Sequence, residues 1–376
     1  MINQARLIRL IQELVRIDSQ NPPGDESRIA RFVQRYLDKL AVRSRIYAFK
    51  KNRCNLVARI PGKERAFSLL LTPHLDTVPC GASWRLNPFA AAIKKGKIYG
   101  LGATDCKANL ACALEAINSV REGGAALNYN LIFAATADEE SGSGLGIIPL
   151  LNKKILRPDA ALVLDADDFD IVVAQKGLVH LKVKVEGRRA HGAYPWRGIN
   201  AIDLAIKIIQ GIKDKKFRCP KNRYLRPPTI NLGTISGGDK VNVVADWCEF
   251  ELDFRFLPGM RAQDYLRQLT KIAGRYARKF KIEVEGIQEP YCISQSHPLV
   301  AGLKKAMRRI GAPCRVRGSE GATVITFFQD QGIPAVATGF GSAGCAHAAD
   351  EYARIANLYK GAQVLEEFLM TYNRLP

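Results

Sequence analysis

Five residues of this chain stand where a polypeptide exposes chemistry: His74, Asp105, Glu140, Asp165 and His347. Ser68-Leu-Leu-Leu-Thr-Pro73 is a short apolar run closed by proline, which reads as a buried strand that has just left its sheet. His74 and Asp76 follow it at once. Residues 130–137 form a second such run, ending in Asp138-Glu139-Glu140, and residues 160–164 a third, ending in Asp165-Ala-Asp-Asp168. A fourth, 333–338, leads through a glycine-rich loop to His347. Asp105 closes Gly100-Leu-Gly-Ala-Thr and opens a helical stretch, 108–120. Open α/β sheets place their ligand sites at the carboxyl ends of strands, so these runs aim their acids and imidazoles at one kind of place.

Three adjacent acids repel one another and are costly to hold together without a cation, unless fully solvated. Imidazole with carboxylate suits zinc, cobalt or manganese. Five ligands, with one carboxylate able to bridge, suit two such ions, which acidify a shared water and polarise a carbonyl. Glu139, beside a ligand yet free, is placed to take that water's proton and pass it to a leaving amine. Asp76, two residues from His74, fits a carboxylate that orients a ligating imidazole. Plainer readings stand beside these: His74 as a loop histidine next to an N-cap, and Asp105 as a helix cap favoured by the dipole. Asp167 and Asp168 compete with Asp165, which ends its apolar run directly. His180 and His297 read as structural.

With 376 residues, 47% hydrophobic and 24% charged, the chain can bury a sizeable core in about two domains. It has no apolar run of membrane-spanning length, and its first twenty residues read as an amphipathic helix, not a secretory leader. Nine cysteines without a C-x-x-C pair point to reduced thiols in a cytoplasmic protein. The net charge of +20 invites an anionic partner. Yet the basic residues are dispersed along the sequence without interleaved aromatics, so general basicity is expected in place of nucleic-acid binding.

Helical spacing marks 3–17 and 26–40, and 55–60 reads as a strand. From about Gln175 the pattern changes to strict alternation over 178–186, a strand with one wet face. Strands at 229–235, 247–256 and 281–286, with helices at 201–212 and 261–279, complete a β-α-β-β-α-β order, the split βαβ of ferredoxin-like domains. The expectation is an α/β domain of residues 1–174 and 291–376, interrupted by an α+β insert, 175–290.

Together these pieces resemble the M20 metallopeptidase and deacylase family, which includes acetylornithine deacetylase, succinyl-diaminopimelate desuccinylase, aminoacylase and glutamate carboxypeptidase. The resemblance rests on His74-Leu-Asp-Thr-Val-Pro79, Pro88-Phe89 with Gly96-Lys-Ile-Tyr-Gly100, Gly102-Ala-Thr-Asp105-Cys-Lys107 and Asp138-Glu-Glu140. It continues in His191-Gly-Ala-Tyr-Pro195 with Gly198-Ile-Asn200-Ala201, and in Ala346-His347 with Asp350-Glu-Tyr352. It covers essentially the whole chain. It implies a zinc-peptidase-like catalytic domain with a mixed sheet, and an insert that serves as lid and dimerisation domain. Asp105 would bridge two metals, His74 and Asp165 holding one, Glu140 and His347 the other. Asp76 would orient His74 and Glu139 would be the general base. His191 would reach the partner subunit's active site in a homodimer. Asn242, Arg255 and Ser319 would meet the substrate. The implied reaction is hydrolysis of the amide of an N-acyl amino acid or short peptide. The chain departs from the family pattern at Leu101, at Ala166-Asp-Asp168, at Gly318-Ser-Glu-Gly321 and at Ala349.

Overall fold

The computed structural model describes residues 1–64 and 66–373. The chain divides into two units. The first holds Met1–Val173, Ile293–Arg317 and the chain from Thr323 onward; the second holds Ala174–Cys292 with Gly318–Ala322.

The first unit is built on a mixed sheet. Its middle is four parallel strands in the order Asn130–Ala135, Ser68–Thr72, Ala160–Val163 and Ala335–Thr338. Beyond Asn130–Ala135 lie Arg53–Ile60 and then Ser44–Lys50, both antiparallel to their neighbours. At the other side Asp170–Gln175 runs antiparallel to Ala335–Thr338. Inner parallel strands are covered on both faces, which is why they read in sequence as unbroken apolar runs. Leu69, Leu70, Leu71, Phe133, Ala161 and Leu162 are fully buried. Because the four strands run the same way, their carboxyl ends share one edge of the sheet. The apolar runs that end in His74, Glu140, Asp165 and His347 therefore deliver all four side chains to that edge.

The helix Lys107–Glu122 is buried from Lys107 through Val120. Its alanines, Ala108, Ala111, Ala113 and Ala116, leave room for the helices Gln4–Val15 and Ile355–Thr371 to pack against it. Arg6 ties the first of these down, Nε lying 2.7 Å from Glu115 and Nη1 2.6 Å from Glu122. The turn at Lys95-Gly96 joins the hairpin Ala92–Lys94 and Lys97–Tyr99, and Tyr352–Arg354 adds a third strand beside it.

The second unit is a four-stranded antiparallel sheet in the order Thr229–Gly237, Trp247–Phe256, Gly177–Glu186, Phe280–Gln288. This is the order of a split βαβ domain. The helices Ala201–Lys213 and Ala262–Tyr276 cover one face, where Val179, Leu181, Val183 and Val185 meet Ile208, Phe250, Phe254 and Leu269. Every second residue turns to the other face, where cross-strand charges neutralise one another: Lys182 lies 2.9 Å from Glu251 and Lys184 2.9 Å from Glu283.

Candidate metal centre

His74 leaves the Ser68–Thr72 strand and forms a parallel bridge with Thr136, so the exits of two neighbouring strands lie side by side. Asp105 precedes the Lys107–Glu122 helix. Its two oxygens point to two imidazoles: Oδ1 is 2.9 Å from His74 Nε2, and Oδ2 is 3.3 Å from His347 Nε2. His347 Nε2 also lies 3.1 Å from Glu140 Oε2. Two groups of donor atoms, each within 4.8 Å, share Asp105: His74 with Asp105 and Cys106, and Asp105 with Glu140 and His347. Asp165 belongs to neither tight group but feels the same cluster: burial, then Asp105 and Glu140, raise its pKa, and His74 lowers it. Imidazole nitrogens and carboxylate oxygens converging in this number match the donor chemistry of divalent metal sites.

The surrounding chain fixes these side chains through hydrogen bonds that the sequence conceals. Nδ1 of His74 donates to the backbone carbonyl of Asp76 at 3.0 Å, whereas the Asp76 carboxylate stands 3.6 Å away. That bond leaves Nε2 to face Asp105. The Asp76 carboxylate instead accepts the backbone N–H groups of Glu139 and Glu140, each at 3.1 Å, and Asn21 Nδ2 at 2.9 Å. Asp138, in the left-handed region with φ of 65°, anchors the same turn from below. Its carboxylate receives Arg53 Nη2 at 2.7 Å and Leu145 N–H at 2.9 Å, and Arg53 in turn pairs with the buried Glu26 at 2.9 Å. Glu351 accepts three backbone N–H groups, from Gly102 at 2.9 Å, Thr104 at 2.6 Å and Asp105 at 2.9 Å. It shapes the loop that presents Asp105. The loop before His347 passes close to the one after Asp165: a Cβ at Gly339 would fall 1.7 Å from the carbonyl oxygen of Ala166. Glycine is required there for contact between the two loops.

Electrostatics reflect the crowding. Burial, joined by the charges of Asp165, Asp105 and Glu140, pushes the Glu139 carboxyl well above its ordinary range. Burial and Asp105 push Asp165 up to about 7. Burial opposes ionisation of Asp105, yet hydrogen bonds from His347 and His74 hold it below the usual carboxylate range. His347, hydrogen-bonded to Asp105 and Glu140, rises to about 10. The proton affinities of Asp105, Glu139 and Asp165 are thus set by one another and by the two imidazoles, as in an anionic site built to face positive charge.

The remaining candidates lie in the second unit. His191 is exposed; its Nδ1 accepts the N–H of Ala193 at 3.1 Å, and it pairs with Val243 across a short antiparallel bridge. Asn242 is exposed beside it, its carbonyl accepting the Gly192 N–H at 2.8 Å. Arg255 lies two residues from Asp253 on the same strand and grips it with both arms, at 2.7 and 2.8 Å. The Ser319 hydroxyl accepts the Gly321 N–H at 3.2 Å, while its neighbour Glu320 binds the buried Lys176 at 2.6 Å. Of the two histidines read as structural, His180 lies 3.4 Å from Asp253, and His297 caps the helix Pro298–Ile310 through Leu299 N–H at 3.3 Å.

Comparison with known proteins agrees with this geometry. The model of peptidase family M20/M25/M40 matches residues 70–371. An acetylornithine deacetylase of Proteus mirabilis (strain HI4320) is 29% identical over 316 residues, covering 81% of this chain and 79% of its own length. A tripeptidase of Staphylococcus aureus superposes with a TM-score of 0.83 at 28% identity, over 98% of both chains. A dinuclear metal-binding M20 peptidase of Bacillus subtilis superposes with a TM-score of 0.76 at 16% identity, over 98% of this chain and 97% of its own. The chain belongs to peptidase family M20/M25/M40, and is a hydrolase of amide or peptide bonds.

Proposed function

We propose that the protein is a two-metal amidohydrolase that releases an amino acid from an N-acyl amino acid, in the manner of acetylornithine deacetylase or succinyl-diaminopimelate desuccinylase. The observation that carries this reading is Asp105 standing between His74 and His347, one oxygen toward each. Its place suits a carboxylate shared by two sites, His74 and Asp165 completing one, Glu140 and His347 the other. Zinc fits this donor set, with cobalt or manganese as substitutes. When bound, such a pair of ions supplies charge that polarises the scissile carbonyl and makes water acidic enough to attack.

The chain's own residues do the rest. Glu139 has its backbone N–H held by Asp76 and no ion pair of its own among the described residues. Its raised proton affinity suits a base that accepts a proton from water and gives it to the departing nitrogen. His191, exposed on the insert, is assigned to steady the oxyanion in a partner subunit's site. The insert, 175–290, is assigned the roles of lid and homodimer contact, with the catalytic domain formed by 1–174 and 291–376. Asn242, Arg255 and Ser319 are assigned to the substrate; Arg255 must then exchange Asp253 for the substrate carboxylate, a bidentate partner of the same kind. The free state of all nine cysteines supports a cytoplasmic setting, and no helix among the described residues is long and apolar enough to cross a membrane.

A second reading, a dipeptidase or carboxypeptidase, is favoured by the 28% identity to a tripeptidase over nearly the whole chain. Amine release from N-acetyl, N-succinyl and dipeptide substrates separates the two, run with metal-free, zinc-loaded and cobalt-loaded protein beside Glu139→Ala. Turnover that needs metal and is lost in Glu139→Ala supports the hydrolase, and the best substrate selects the branch. Failure to bind metal would overturn the ligand assignment.

A further inference from the structure

The second unit is electrically lopsided. Segments 207–226 and 261–279 carry fourteen lysines and arginines against two acids, Asp214 and Asp264. Seven of the fourteen, Lys215, Lys216, Arg218, Arg261, Arg267, Lys271 and Arg275, come together beside the helices Ala201–Lys213 and Ala262–Tyr276, although the two segments lie some fifty residues apart in sequence. On the sheet side of the same unit, lysines are matched by glutamates, as at Lys182–Glu251 and Lys184–Glu283.

The helical side is also concave. A cavity of about 570 Å³ is lined by Lys215, Lys216, Arg218, Arg261, Arg267 and Lys271, with Asp264 as its acid. A second, of about 400 Å³, adjoins it, sharing Lys215, Gln268 and Lys271 and adding Arg275, with Asp214 as its acid. Asp264 is engaged by Arg261 and Arg267, and Asp214 accepts the Gln210 amide at 2.8 Å. Lys215, Lys216, Arg218, Lys271 and Arg275 have no ion-pair partner among the described residues. Like charges collected around a concavity repel, and the arrangement is stabilised by an anion that threads between them.

We propose that this groove binds a single-stranded nucleic acid by its phosphodiester backbone, without reading the bases. A chain of phosphates matches the unpaired cations that line two adjoining cavities. Its concavity suits a strand better than a flat bilayer. Phe217 packs on Phe254 and Tyr265 at 5.6 and 5.3 Å between centroids, which leaves Tyr276, exposed at the second cavity, as the ring on which a base can stack.

The test is fluorescence anisotropy of a labelled 20-nucleotide oligouridylate with the full-length, metal-loaded protein, titrated at several salt concentrations. Five phosphate contacts predict a log–log salt slope of about −3.5. Lys215→Glu with Lys271→Glu should weaken binding at least tenfold and flatten that slope by about 1.4 or more. Hydrolysis of small substrates, measured on the same samples, should stay unchanged. Lys94→Glu with Lys95→Glu, on the exposed hairpin turn of the first unit, makes the same change in net charge and should leave binding nearly intact. Equal weakening by both pairs would overturn the proposal in favour of general basicity. Absence of retention at 100 mM salt, or tighter binding to phosphatidylglycerol vesicles than to the oligonucleotide, would overturn it as well.

Discussion

The carboxylate of Asp76 holds the backbone N–H of Glu139 at 3.1 Å, so the residue after one strand fixes the position of a residue after its neighbour. The contact makes Asp76 a positioning group for the turn Glu139-Glu140 more than for His74, whose Nδ1 is served by a main-chain carbonyl. Asp76→Ala leaves the N–H groups of Glu139 and Glu140 without their acceptor and the Asn21 amide with only Asp138, at 3.3 Å. Supports of this kind are worth about 10–100-fold in metal affinity or activity. We expect kcat to fall by that factor, and calorimetric titration with zinc to show whether metal affinity falls with it.

Glu139 is flanked by ligand candidates but lies outside both tight donor groups. Glu139→Gln should therefore keep its metals while kcat falls about 10²–10⁴-fold, the usual weight of a general base. Metal content by atomic absorption beside steady-state rates measures both. A variant that loses metal as well as rate would make Glu139 a ligand.

Metal uptake should release protons. In the metal-free protein His347 keeps its proton up to about pH 10 and Asp165 up to about pH 7, and ligation requires both to lose it. Affinity for zinc should therefore rise with pH, and calorimetry in buffers of different ionisation enthalpy should count the protons released. The same shifts govern stability without metal. Both groups bind protons more tightly folded than unfolded, so the folded state holds the excess protons. Stability must fall as pH rises, from about 4 to 7 through Asp165 and from about 6.5 to 10 through His347. Tm of the chelated protein across that range should decline, and added metal should flatten the decline.

Arg53 neutralises two buried acids, Glu26 and Asp138, at 2.9 and 2.7 Å. Arg53→Ala strands both, a change that costs about 3–5 kcal/mol when a buried pair loses one partner. Glu26→Gln added to Arg53→Ala should recover part of the loss, because one stranded charge disappears. Urea denaturation of the two variants gives the comparison.

Much of the site was legible because parallel strands are buried on both faces. Their apolar runs are uninterrupted, and the first titratable residue after each run marks the sheet edge, at His74 and Asp165 alike. The ferredoxin-like insert announced itself by alternation at Leu178 to Glu186, where one face is wet. What stayed hidden depends on contacts between distant segments. Arg53 and Asp138 are separated by 85 positions, and Glu351 reaches loop N–H groups roughly 250 residues earlier; no local pattern encodes either. The strand Ser44–Lys50 was missed because it lies half-exposed with charges along it. Arg255 read as a substrate contact or as half of a structural ion pair, and only the placed strand shows that Asp253, on the same face, engages the guanidinium in the absence of substrate.

The helix that begins at Lys107 has no solvent face over fourteen residues. A helix of that kind cannot tilt or slide without disturbing neighbours on all sides, so the loop that presents Asp105 is anchored directly to a tightly packed element. Adjustment to a bound substrate must then come from the loop residues around it, His347 above all, while Asp105 serves as the fixed point. Accepted sequence change should be sparse along this helix for the same reason: a methyl group added at Ala113 would push on the element to which the Asp105 loop is anchored.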